Sequence, residues 1–564
     1  MRWTNVKQID APWTAHYPDA VRAGMDLEFS TMRDAWDAHV ATRPDAPAVH
    51  YFGSTLSFAE IDAAADALAS GLTSIGLVPG DRVGIYLQND PQWLVALLAA
   101  WKAGAVPVAL NPMLREKELT HHLLDSGARA LVCLDSLYDD VVAPMRDTTD
   151  LAIVVTTHPL DMTPTAEVPA SIASHIGERR TFEDTVDWQT LLVEHAGSQP
   201  VSAPCSASDI GVLTYTSGTT GRSKGAMNLQ SALVHNSTVY TSWWDLRADQ
   251  DVIIGVAPVF HITGLVAGFG IHILSGAPIV LLHRFDAEET LRAIDTWRGT
   301  FMIGASTAFI ALCNHPSREK YDLTSLTKTP SGGAPVGPAL LERVRAATGW
   351  VLRGAYGMTE TTSPTHLGPV DVDPPVDPDS GALSVGVPVP NARVRIVDIT
   401  DGHDVAPGET GEIIVSGPMV VPGYWQLPEE SAHAIRDGWL HTGDIGKMTE
   451  DGWLFVVDRL KDMINAGGYK VFPRDVEDVL YQHPAVREAS VIGVPDEYRG
   501  ETVKAFVSLT RDATVTPAEL VDFCKTRMAA YKYPRDVVIL DELPKTTSGK
   551  LLRRELRTAD AGRQ

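Results

Sequence analysis

Apolar positions follow a helical period in some segments and the pattern of buried strands in others. Ser57 and Glu60 form a capping-box pattern that predicts the start of one helix. Steps of four and three then place five apolar residues on one face of it: Ile61, Ala65, Leu68, Leu72 and Ile75. Helix-length segments separate several strand-like runs, which lie at 82–87, 106–110, 130–134 and 153–155. This alternation predicts an α/β architecture with buried sheets.

The pattern of residue types along the chain changes after residue 370. The stretch at 370–386 is rich in Pro and Asp and predicts a loop. Beyond it, short strand-like runs at 393–397 and 412–415 are separated by turn residues such as Pro407 and Gly408. These features predict a smaller β-rich subdomain at the end of a large N-terminal domain of packed sheets and helices.

From about Asp462 onward the pattern predicts a separate, small α+β unit. We expect three elements in it: a helix with Val476, Val479 and Leu480 on one face, a strand at 489–494 and a second helix near 518–528. We therefore predict two domains, over residues 1–460 and 461–564.

The long apolar stretch at 252–282 has the length of a membrane span, but polar and helix-breaking residues interrupt it. These are His261, Thr263, His272 and Ser275, together with Pro258, Gly264, Gly268, Gly270, Gly276 and Pro278. A spanning helix needs about 20 mostly apolar residues whose backbone groups bond internally. We expect buried strands and helices of a large core here, and no transmembrane segment.

Length and composition narrow the class of protein. The chain has 564 residues, of which 44% are hydrophobic and 21% charged, as in ordinary globular proteins of two or three domains. A formal net charge of −24 disfavours nucleic acid as a partner, because a phosphate backbone needs Lys and Arg to displace its counterions. The four cysteines include no C-x-x-C pair, and the N-terminus has no signal-peptide pattern. We therefore expect no disulfide framework and a cytoplasmic location.

The segment 215–225, with the sequence YTSGTTGRSKG, gives the strongest chemical signal in the chain. It follows a strand-like run at 210–213 and combines hydroxyls, glycines and two cations. Glycines let the backbone approach an oxyanion closely, while N–H groups, hydroxyls and Lys224 can bind phosphate oxygens. The spacing is not that of a Walker A loop. A flexible Ser/Gly linker is the alternative, but it would gain nothing from the strand flank or the terminal Lys-Gly.

With this loop the sequence resembles the adenylate-forming superfamily, which includes acyl-CoA synthetases, peptide-synthetase adenylation domains and beetle luciferases. Further signatures follow in the order expected for that superfamily. They are PVFH at 258–261, SGGAP at 331–335, YGMTE at 356–360, GYW at 423–425, HTGD at 441–444, DRLKD at 458–462, GGYK at 467–470 and PKTTSGK at 544–550. The resemblance implies a large N-terminal domain and a small C-terminal domain that rotates about a hinge, with Lys461 as the hinge residue.

The resemblance implies an ATP site in the large domain. It assigns seven residues of the loop to the triphosphate: Thr216, Ser217, Gly218, Thr219, Thr220, Gly221 and Lys224. Glu360 would bind Mg²⁺, with Thr216 as a second contact, in keeping with the preference of this cation for oxygen ligands. Adenine and its surroundings would contact two short runs: Tyr356, Gly357, Met358 and Thr359, and opposite them Gly332, Gly333 and Ala334. Asp444 would accept the ribose hydroxyls, and Arg459 would contact the ribose or a phosphate.

The resemblance also assigns residues to the two half-reactions. Lys550 would bridge the substrate carboxylate and the α-phosphate once the small domain closes, which stabilises charge in the transition state. Gly467 and Gly468 would line the channel for the pantetheine of coenzyme A after the domain rotates. His261 would gate or orient groups between the acyl pocket and that channel, with a buried core histidine as the alternative.

The acid itself is the least defined partner. The family's acyl pocket is lined from the regions around Trp243, His261, 301–303, 332–335 and 354–358, which are mostly apolar here, although Arg353 is close in sequence. The segment PWTAHYP at 12–18 resembles the lead-in of bacterial medium- and long-chain fatty-acid ligases. We expect a fatty acid, with an aryl acid as the alternative, and a homodimer is compatible with the sequence. Two departures from the family occur: Gly354-Ala355 replaces a common Gln-Gly, and Val421-Pro422-Gly423 replaces Ala-Arg-Gly.

Other functions on the same scaffold stay open. One is an adenylation domain or acyl-AMP ligase that loads a carrier protein, but peptide-synthetase domains usually place an Asp where His261 stands. A non-catalytic nucleotide-binding regulator would not need Lys224, Glu360, Arg459 and Lys550 together. A luciferase-like oxygenase would need a special substrate.

Replacing Lys550 with Ala separates the two half-reactions. The Lys550→Ala variant should lose acid-dependent pyrophosphate release, because the cation between carboxylate and α-phosphate is gone. It should still form the CoA thioester from acyl-adenylate supplied ready-made, as measured by thioester yield. Equal loss of both activities would argue against the role assigned to Lys550.

Overall fold

The computed structural model describes most of the chain. The described residues are 11–22, 25, 27–164, 167–200, 203–216, 222–333, 336–378, 381–459, 462–466, 469–496, 500–511, 513–545 and 551–561.

Strands occur throughout the described residues and gather into five sheets. In chain order they are β1 (Pro47–Tyr51), β2 (Ser54–Ser57), β3 (Arg82–Tyr86), β4 (Val106–Ala109), β5 (Ala128–Leu134), β6 (Ile153–Thr157), β7 (Val186–Asp187), β8 (Ile210–Tyr215), β9 (Gly225–Leu229), β10 (Ile253–Gly255), β11 (Ile279–Leu281), β12 (Pro330–Gly332), β13 (Arg353–Met358), β14 (Ser363–Leu367), β15 (Val387–Pro388), β16 (Arg393–Val397), β17 (Gly411–Ser416), β18 (Ile435–Arg436), β19 (Trp439–Met448), β20 (Leu454–Arg459), β21 (Ile464–Ala466), β22 (Tyr469–Val471), β23 (Val486–Asp496), β24 (Gly500–Leu509) and β25 (Asp536–Ile539).

Helices of very different length connect these strands. In chain order they are α1 (Asp19–Arg22), α2 (Met32–Thr42), α3 (Phe58–Ser74), α4 (Pro91–Lys102), α5 (Glu116–Ser126), α6 (Asp135–Leu137), α7 (Ala170–Ile176), α8 (Trp188–Glu194), α9 (Gln230–Trp243), α10 (Ile262–Gly264), α11 (Ile271–Ser275), α12 (Ala287–Trp297), α13 (Ser306–Cys313), α14 (Pro338–Thr348), α15 (Pro428–Ala434), α16 (Pro473–Tyr481), α17 (Pro517–Lys525) and α18 (Arg553–Ala561). Short π-helical turns lie at Tyr138–Val142 and Leu265–Gly270.

The largest sheet has seven strands in the order β7-β6-β5-β3-β4-β8-β9. All its neighbours are parallel except β8 and β9, which form an antiparallel hairpin at one edge. Apolar side chains of its central strands are fully buried, as expected for a parallel sheet with both faces covered. The buried helix α4 packs on this sheet and against α3. The edge hairpin is the feature that positions the phosphate loop.

Three further sheets complete the large domain. One has the order β10-β11-β1-β2, a second the order β12-β13-β14-β15, and a third the order β16-β17-β19-β18 with β20 paired to β19. The third sheet is the β-rich subdomain that the sequence predicts, and it is antiparallel throughout. The predicted fold class, an α/β domain of packed sheets with a β-rich subdomain and a small α+β unit, is confirmed.

The C-terminal unit has its own sheet, in the order β22-β21-β24-β23 with β25 paired to β24. Val476 and Leu480 of α16 are fully buried against it, as predicted. The boundary between residues 460 and 461 stays a prediction, because both residues lie outside the described segments.

Most predicted elements form where the sequence indicates, with two differences. Ser57 and Glu60 make the predicted reciprocal capping bonds at the start of α3. Ile75, however, lies beyond the last residue of this helix and is 42% exposed, because a following Gly at φ +108° ends the helix there. The second C-terminal helix ends at Lys525, which is earlier than the predicted end near residue 528.

The apolar stretch at 252–282 folds into β10, α10, a π-helical turn, α11 and β11 in the core of the large domain, as predicted. In the described segments, every helix is too short or too polar to cross a membrane. All four cysteines are free thiols, also as predicted.

Several histidines are buried in apolar surroundings, which affects stability in acid. Burial lowers the pKa of His50, His235 and His272 to about 4, and the pKa of His122 and His366 to about 3. His272 is typical: it stacks on Phe58 at 5.5 Å, and its Nδ1–H donates to the carbonyl of Ala277 at 2.8 Å. These side chains are therefore neutral in the folded protein.

The pH dependence of stability follows from these histidines. Their pKa values are lower in the folded chain than in the unfolded one, where they are about 6.5, so the unfolded state binds more protons. The free energy of unfolding should keep the full contribution of these histidines above pH 6.5 and should decrease as the pH drops from 6.5 toward 4. Urea unfolding at several pH values measures it. His272→Asn, which keeps a donor near the position of Nδ1, should make this dependence shallower. An unchanged slope would contradict the assignment.

Candidate active site

The phosphate loop connects the two strands of the edge hairpin. The N–H of Thr216 donates to the carbonyl of Lys224 at 3.0 Å, and the N–H of Lys224 donates back to Thr216 Oγ1 at 3.2 Å. Ser223 Oγ also donates to the carbonyl of Thr216. The two ends of the predicted triphosphate loop are thus joined by hydrogen bonds. Its middle residues, Ser217, Gly218, Thr219, Thr220 and Gly221, lie outside the described residues.

Helix α5 supports both ends of this loop. Tyr215, the last residue of β8, stacks on His122 at 4.0 Å, and its hydroxyl donates to Asp125 at 2.7 Å. On the other side, His121 Nε2 lies 3.1 Å from the carbonyl of Ser223, to which it can only donate. These contacts of α5 with the loop could not be predicted from sequence patterns, because α5 precedes the loop by about ninety residues.

Lys224 and Glu360 meet around the ring of Tyr424. The ammonium of Lys224 lies 4.8 Å from the centre of that ring, within the range of a cation–π interaction. The hydroxyl of Tyr424 donates to Glu360 Oε1 at 2.8 Å. The loop lysine and the predicted metal ligand therefore lie at one site, as the sequence motifs imply, although their roles stay predictions.

Two buried carboxamides fix the turn that contains Glu360. Asn236, on α9, donates to the carbonyls of Thr361, Thr362 and Pro364 at 2.6–3.2 Å. Asn228, on β9, donates to the carbonyl of Thr359 and to Thr362 Oγ1, both at 3.0 Å.

The turn held by these amides has an unfavourable backbone. Thr362 and Ser363 have φ values of +48° and +83°, a backbone region that residues other than glycine rarely adopt. Such a conformation persists only where surrounding contacts determine it, and the two carboxamides supply those contacts. The direction in which Glu360 points is therefore set by Asn228 and Asn236.

The predicted adenine and ribose residues also lie together. The hydroxyl of Tyr356 on β13 donates to Asp444 Oδ2 on β19 at 2.9 Å, and Asp444 is buried. A Cβ on Gly357 would lie 1.7 Å from the carbonyl oxygen of Ser363, so glycine is required there. The backbone of Arg459 pairs with that of Asp444. The Arg459 side chain and Ala334 lie outside the described residues, while Gly333 follows β12 with φ +76°.

Four apolar residues that are predicted to line the acyl pocket are buried. Trp243, Phe301, Met302 and Ile303 are all at most 2% exposed. Arg353 is also buried, but its guanidinium donates to the carbonyls of Val370 and Val372 and to Asp373. These contacts fix Arg353 on the neighbouring loop.

His261 caps the helix that follows it. Its Nδ1 accepts the N–H of Thr263 at 3.3 Å, which places Nδ1 as the unprotonated nitrogen. The side chain is half-buried. This contact is compatible with both interpretations of His261, as a gate of the acyl pocket and as a core histidine. The role of His261 stays a prediction.

Ion pairs join the two domains near the predicted hinge. Arg553 of α18 contacts Asp458 of β20 at 3.5 Å, Asp462 at 3.1 Å and both carboxylate oxygens of Glu477 of α16 at 2.8 Å. Asp458 precedes the predicted hinge and Asp462 follows it. Lys461, Gly467, Gly468 and Lys550 themselves lie outside the described residues.

Lys545 and Leu551, on either side of the segment with Lys550, pair as an antiparallel bridge. Arg553, which makes the ion pairs above, follows Lys550 by three positions in the sequence.

The donors at the site fit a magnesium ion. Glu360 Oε1 accepts from Tyr424, and among the described residues none donates to Oε2. Mg²⁺ is usually bound through one or two carboxylates and takes the rest of its shell from water and phosphates, so the carboxylate of Glu360 fits this ion, while the contact with Thr216 stays a prediction. Elsewhere in the described segments, no group of three or more His, Cys, Asp or Glu could hold a metal ion.

The joined ends of the predicted phosphate loop, the Tyr356–Asp444 pair and a separate C-terminal sheet are the features expected of an adenylate-forming enzyme. A family model described as AMP-binding enzyme matches residues 36–425, and one described as AMP-binding enzyme C-terminal domain matches residues 475–550. The chain belongs to the AMP-binding enzyme family.

Similar proteins cover nearly the whole chain. A long-chain-fatty-acid–CoA ligase of Bacillus subtilis (strain 168) is 36% identical over 558 residues, which is 97% of this chain and 98% of that protein. A feruloyl-CoA synthase of an Amycolatopsis species is 37% identical over 514 residues, which is 91% of this chain and 96% of that protein. The predicted class, an ATP-dependent acyl-CoA synthetase that forms an acyl-adenylate, is confirmed.

The fold agrees with solved structures as well. The o-succinylbenzoate coenzyme A synthetase of Bacillus subtilis, in complex with ATP and magnesium ion, superposes with a TM-score of 0.76 at 30% identity. The match covers 93% of this chain and 98% of that chain.

Asn236→Ala should impair ATP use more than it impairs folding. Its loss removes the amide that donates to the carbonyls of Thr361, Thr362 and Pro364, at a cost of about 1–3 kcal/mol in stability. The freed turn should misplace Glu360 and raise the KM for MgATP about tenfold, equivalent to ~1.4 kcal/mol, in steady-state kinetics.

Asn89→Ala is the matched control, because Asn89 is an equally buried carboxamide that donates to the carbonyls of Gly255 and Ala257, away from Glu360. It should lower stability similarly and leave the KM for MgATP unchanged. Equal KM values for MgATP in the two variants would show that Asn236 acts only on stability.

Proposed function

We propose that this protein activates a long-chain fatty acid with ATP and transfers the acyl group to coenzyme A. The observation behind the choice of acid is the similarity to a long-chain-fatty-acid–CoA ligase across 97% of the chain. The apolar lining of the predicted acyl pocket supports it, since Trp243, Phe301 and Ile303 offer only hydrocarbon and aromatic surface apart from one indole N–H. That N–H donates to the carbonyl of Gly368, so it is not needed by a substrate.

In the first half-reaction the fatty carboxylate attacks the α-phosphate and pyrophosphate leaves. Both reactants are anions, so the site has to offset their repulsion. We propose that Lys224 and the loop from Thr216 bind the phosphates, while Tyr356 and Asp444 fix the adenine and ribose. Magnesium, bound through Glu360 and Thr216, would neutralise charge on the phosphates.

Lys550 supplies the second cation of this step in our proposal. Lys550 belongs to the C-terminal unit, so in this proposal the cation reaches the carboxylate only when the two domains are closed. Closure about Lys461 also excludes water from the adenylate.

In the second half-reaction the thiol of coenzyme A attacks the acyl carbonyl and AMP leaves. We propose that rotation about Lys461 withdraws Lys550 and brings Gly467 and Gly468 to the site, where the absence of side chains leaves room for pantetheine. His261, at the N-terminus of α10, would orient the acyl carbonyl or the thiol.

The ion pairs of Arg553 support this two-state proposal. Its contact with Asp458 crosses the predicted hinge, whereas those with Asp462 and Glu477 remain within the C-terminal unit. A rotation about Lys461 would exchange only the first contact, which is also the longest.

An aryl acid is the second candidate, because a feruloyl-CoA synthase is 37% identical over 91% of the chain. A flat aromatic acid would fit the same apolar surfaces. The cytoplasmic location and homodimeric assembly complete the proposal, and the free thiols of the four cysteines are compatible with a reducing compartment.

A panel of acids tests the proposed substrate. AMP formation should be measured with and without coenzyme A for octanoate, palmitate, oleate, benzoate and ferulate. We expect the highest kcat/KM for palmitate or oleate, with AMP formation dependent on coenzyme A. Because one methylene is worth only ~1–3 kcal/mol, neighbouring chain lengths should overlap. Preference for ferulate would favour the aryl alternative, and turnover with a carrier protein in place of coenzyme A would contradict the proposed acceptor.

A further inference from the structure

Tyr424 lies between the two oppositely charged groups of the nucleotide site. Lys224 contacts the face of its ring, and Glu360 accepts from its hydroxyl. Lys224 and Glu360 thus contact different parts of one side chain. Among the ion pairs of the described residues there is none between Lys224 and Glu360.

The backbone around Tyr424 leaves its ring little freedom. The carbonyl of Gly423 accepts the N–H of Met227, and the N–H of Trp425 donates to the carbonyl of Gly225, so this segment lies beside β9 as an isolated antiparallel bridge. On its other side, the N–H of Tyr424 donates to Ser431 Oγ at 2.8 Å. The side chain is only 8% exposed and packs against Ala226 and Val421.

The same segment is joined to the turn of Glu360. The N–H of Val421 donates to the backbone carbonyl of Glu360 at 2.9 Å. Glu360 is thus held at its backbone by Val421 and at its carboxylate by Tyr424, from one short loop. The phosphate loop and the turn of Glu360 therefore both contact the loop that contains Val421 and Tyr424.

The hydroxyl of Tyr424 is a neutral donor at this place. A phenol hydroxyl is an uncharged donor at neutral pH. A neutral donor can orient a carboxylate through one oxygen without cancelling its charge. The ring face attracts the ammonium more weakly than a carboxylate would, so a phosphate can replace the ring as the partner of Lys224.

We propose that Tyr424 is a positioning residue which keeps Lys224 and Glu360 apart, so that one remains available for the triphosphate and the other for a divalent cation. This proposal rests on the nucleotide site described under the proposed function. It adds the residue that prevents Lys224 and Glu360 from forming an ion pair with each other. Tyr424 acts through its two neighbours and needs no contact with substrate.

The two parts of Tyr424 can be removed separately. Tyr424→Phe keeps the ring under Lys224 and removes only the donor to Glu360. Tyr424→Leu also removes the ring, so Lys224 and Glu360 can approach each other. Tyr86→Phe is the matched control, because the buried Tyr86 hydroxyl likewise donates at 2.6 Å, to the carbonyl of Leu114, and lies on β3 away from these residues.

Binding without any acid present gives the readout. Isothermal titration calorimetry should be run on the full-length protein with ATP alone and with ATP plus Mg²⁺, and electron paramagnetic resonance should report Mn²⁺ binding in the presence of ATP. Tyr424→Phe should bind ATP alone like the wild type and Mn²⁺ about tenfold more weakly. Tyr424→Leu should bind both more weakly, and Tyr86→Phe should match the wild type in each measurement.

A purely structural role would give a different pattern. If Tyr424→Phe weakens ATP and Mn²⁺ equally, or if both Tyr424 variants bind like Tyr86→Phe, the proposal is wrong. The result is independent of which acid is used, because no acid is added. A wild type that binds MgATP but activates none of the acids would overturn the proposed function and leave this inference standing.

Discussion

The arrangement of like and unlike charges around the triphosphate is the constraint on which the rest of the structure depends. A carboxylate and a polyphosphate repel each other, so an enzyme that joins them needs cations whose positions are fixed before the reactants arrive. We assign this arrangement to Lys224, Glu360 and Tyr424, and Lys224 directly precedes β9 of the edge hairpin. The three residues come from distant parts of the sequence, so the arrangement depends on tertiary contacts over long sequence separations.

The buried amides show how the fold holds a strained site. The turn of Glu360 has two successive residues with positive φ, and its backbone carbonyls are satisfied by side chains from β9 and α9. His235 in turn fixes Asn236, because its Nδ1–H donates to the amide oxygen at 3.0 Å. His235 thus restricts the side chain of Asn236, and Asn236 in turn restricts the backbone of the turn of Glu360. The C-terminal unit contacts the large domain through the ion pair between Arg553 and Asp458 and through hydrogen bonds that Arg474 donates to Asp458 and to the carbonyl of Val456.

Sequence patterns predicted the fold well where the signal was local. The capping box of α3, the strand before the phosphate loop and the buried face of α16 depend on residues a few positions apart. The end of α3 was missed because a glycine turn, and not apolar spacing, decides it. For the site, the motifs identified Lys224, Glu360, Tyr356 and Asp444, and the structure brings them together in two pairs.

What the sequence could not predict depends on contacts between distant residues. Asn228 and Asn236 look like ordinary polar residues of a strand and a helix, and their partners lie 125 or more positions away. Tyr424 stands in a recognisable motif, yet its role follows only from the two charged neighbours that the fold supplies. The most direct test of the account is the exchange of labelled pyrophosphate into ATP, with a fatty acid present and coenzyme A absent. The account predicts acid-dependent exchange under these conditions, because adenylation precedes and does not need the thiol. Exchange that appears only with coenzyme A, or release of ADP in place of AMP, would contradict it.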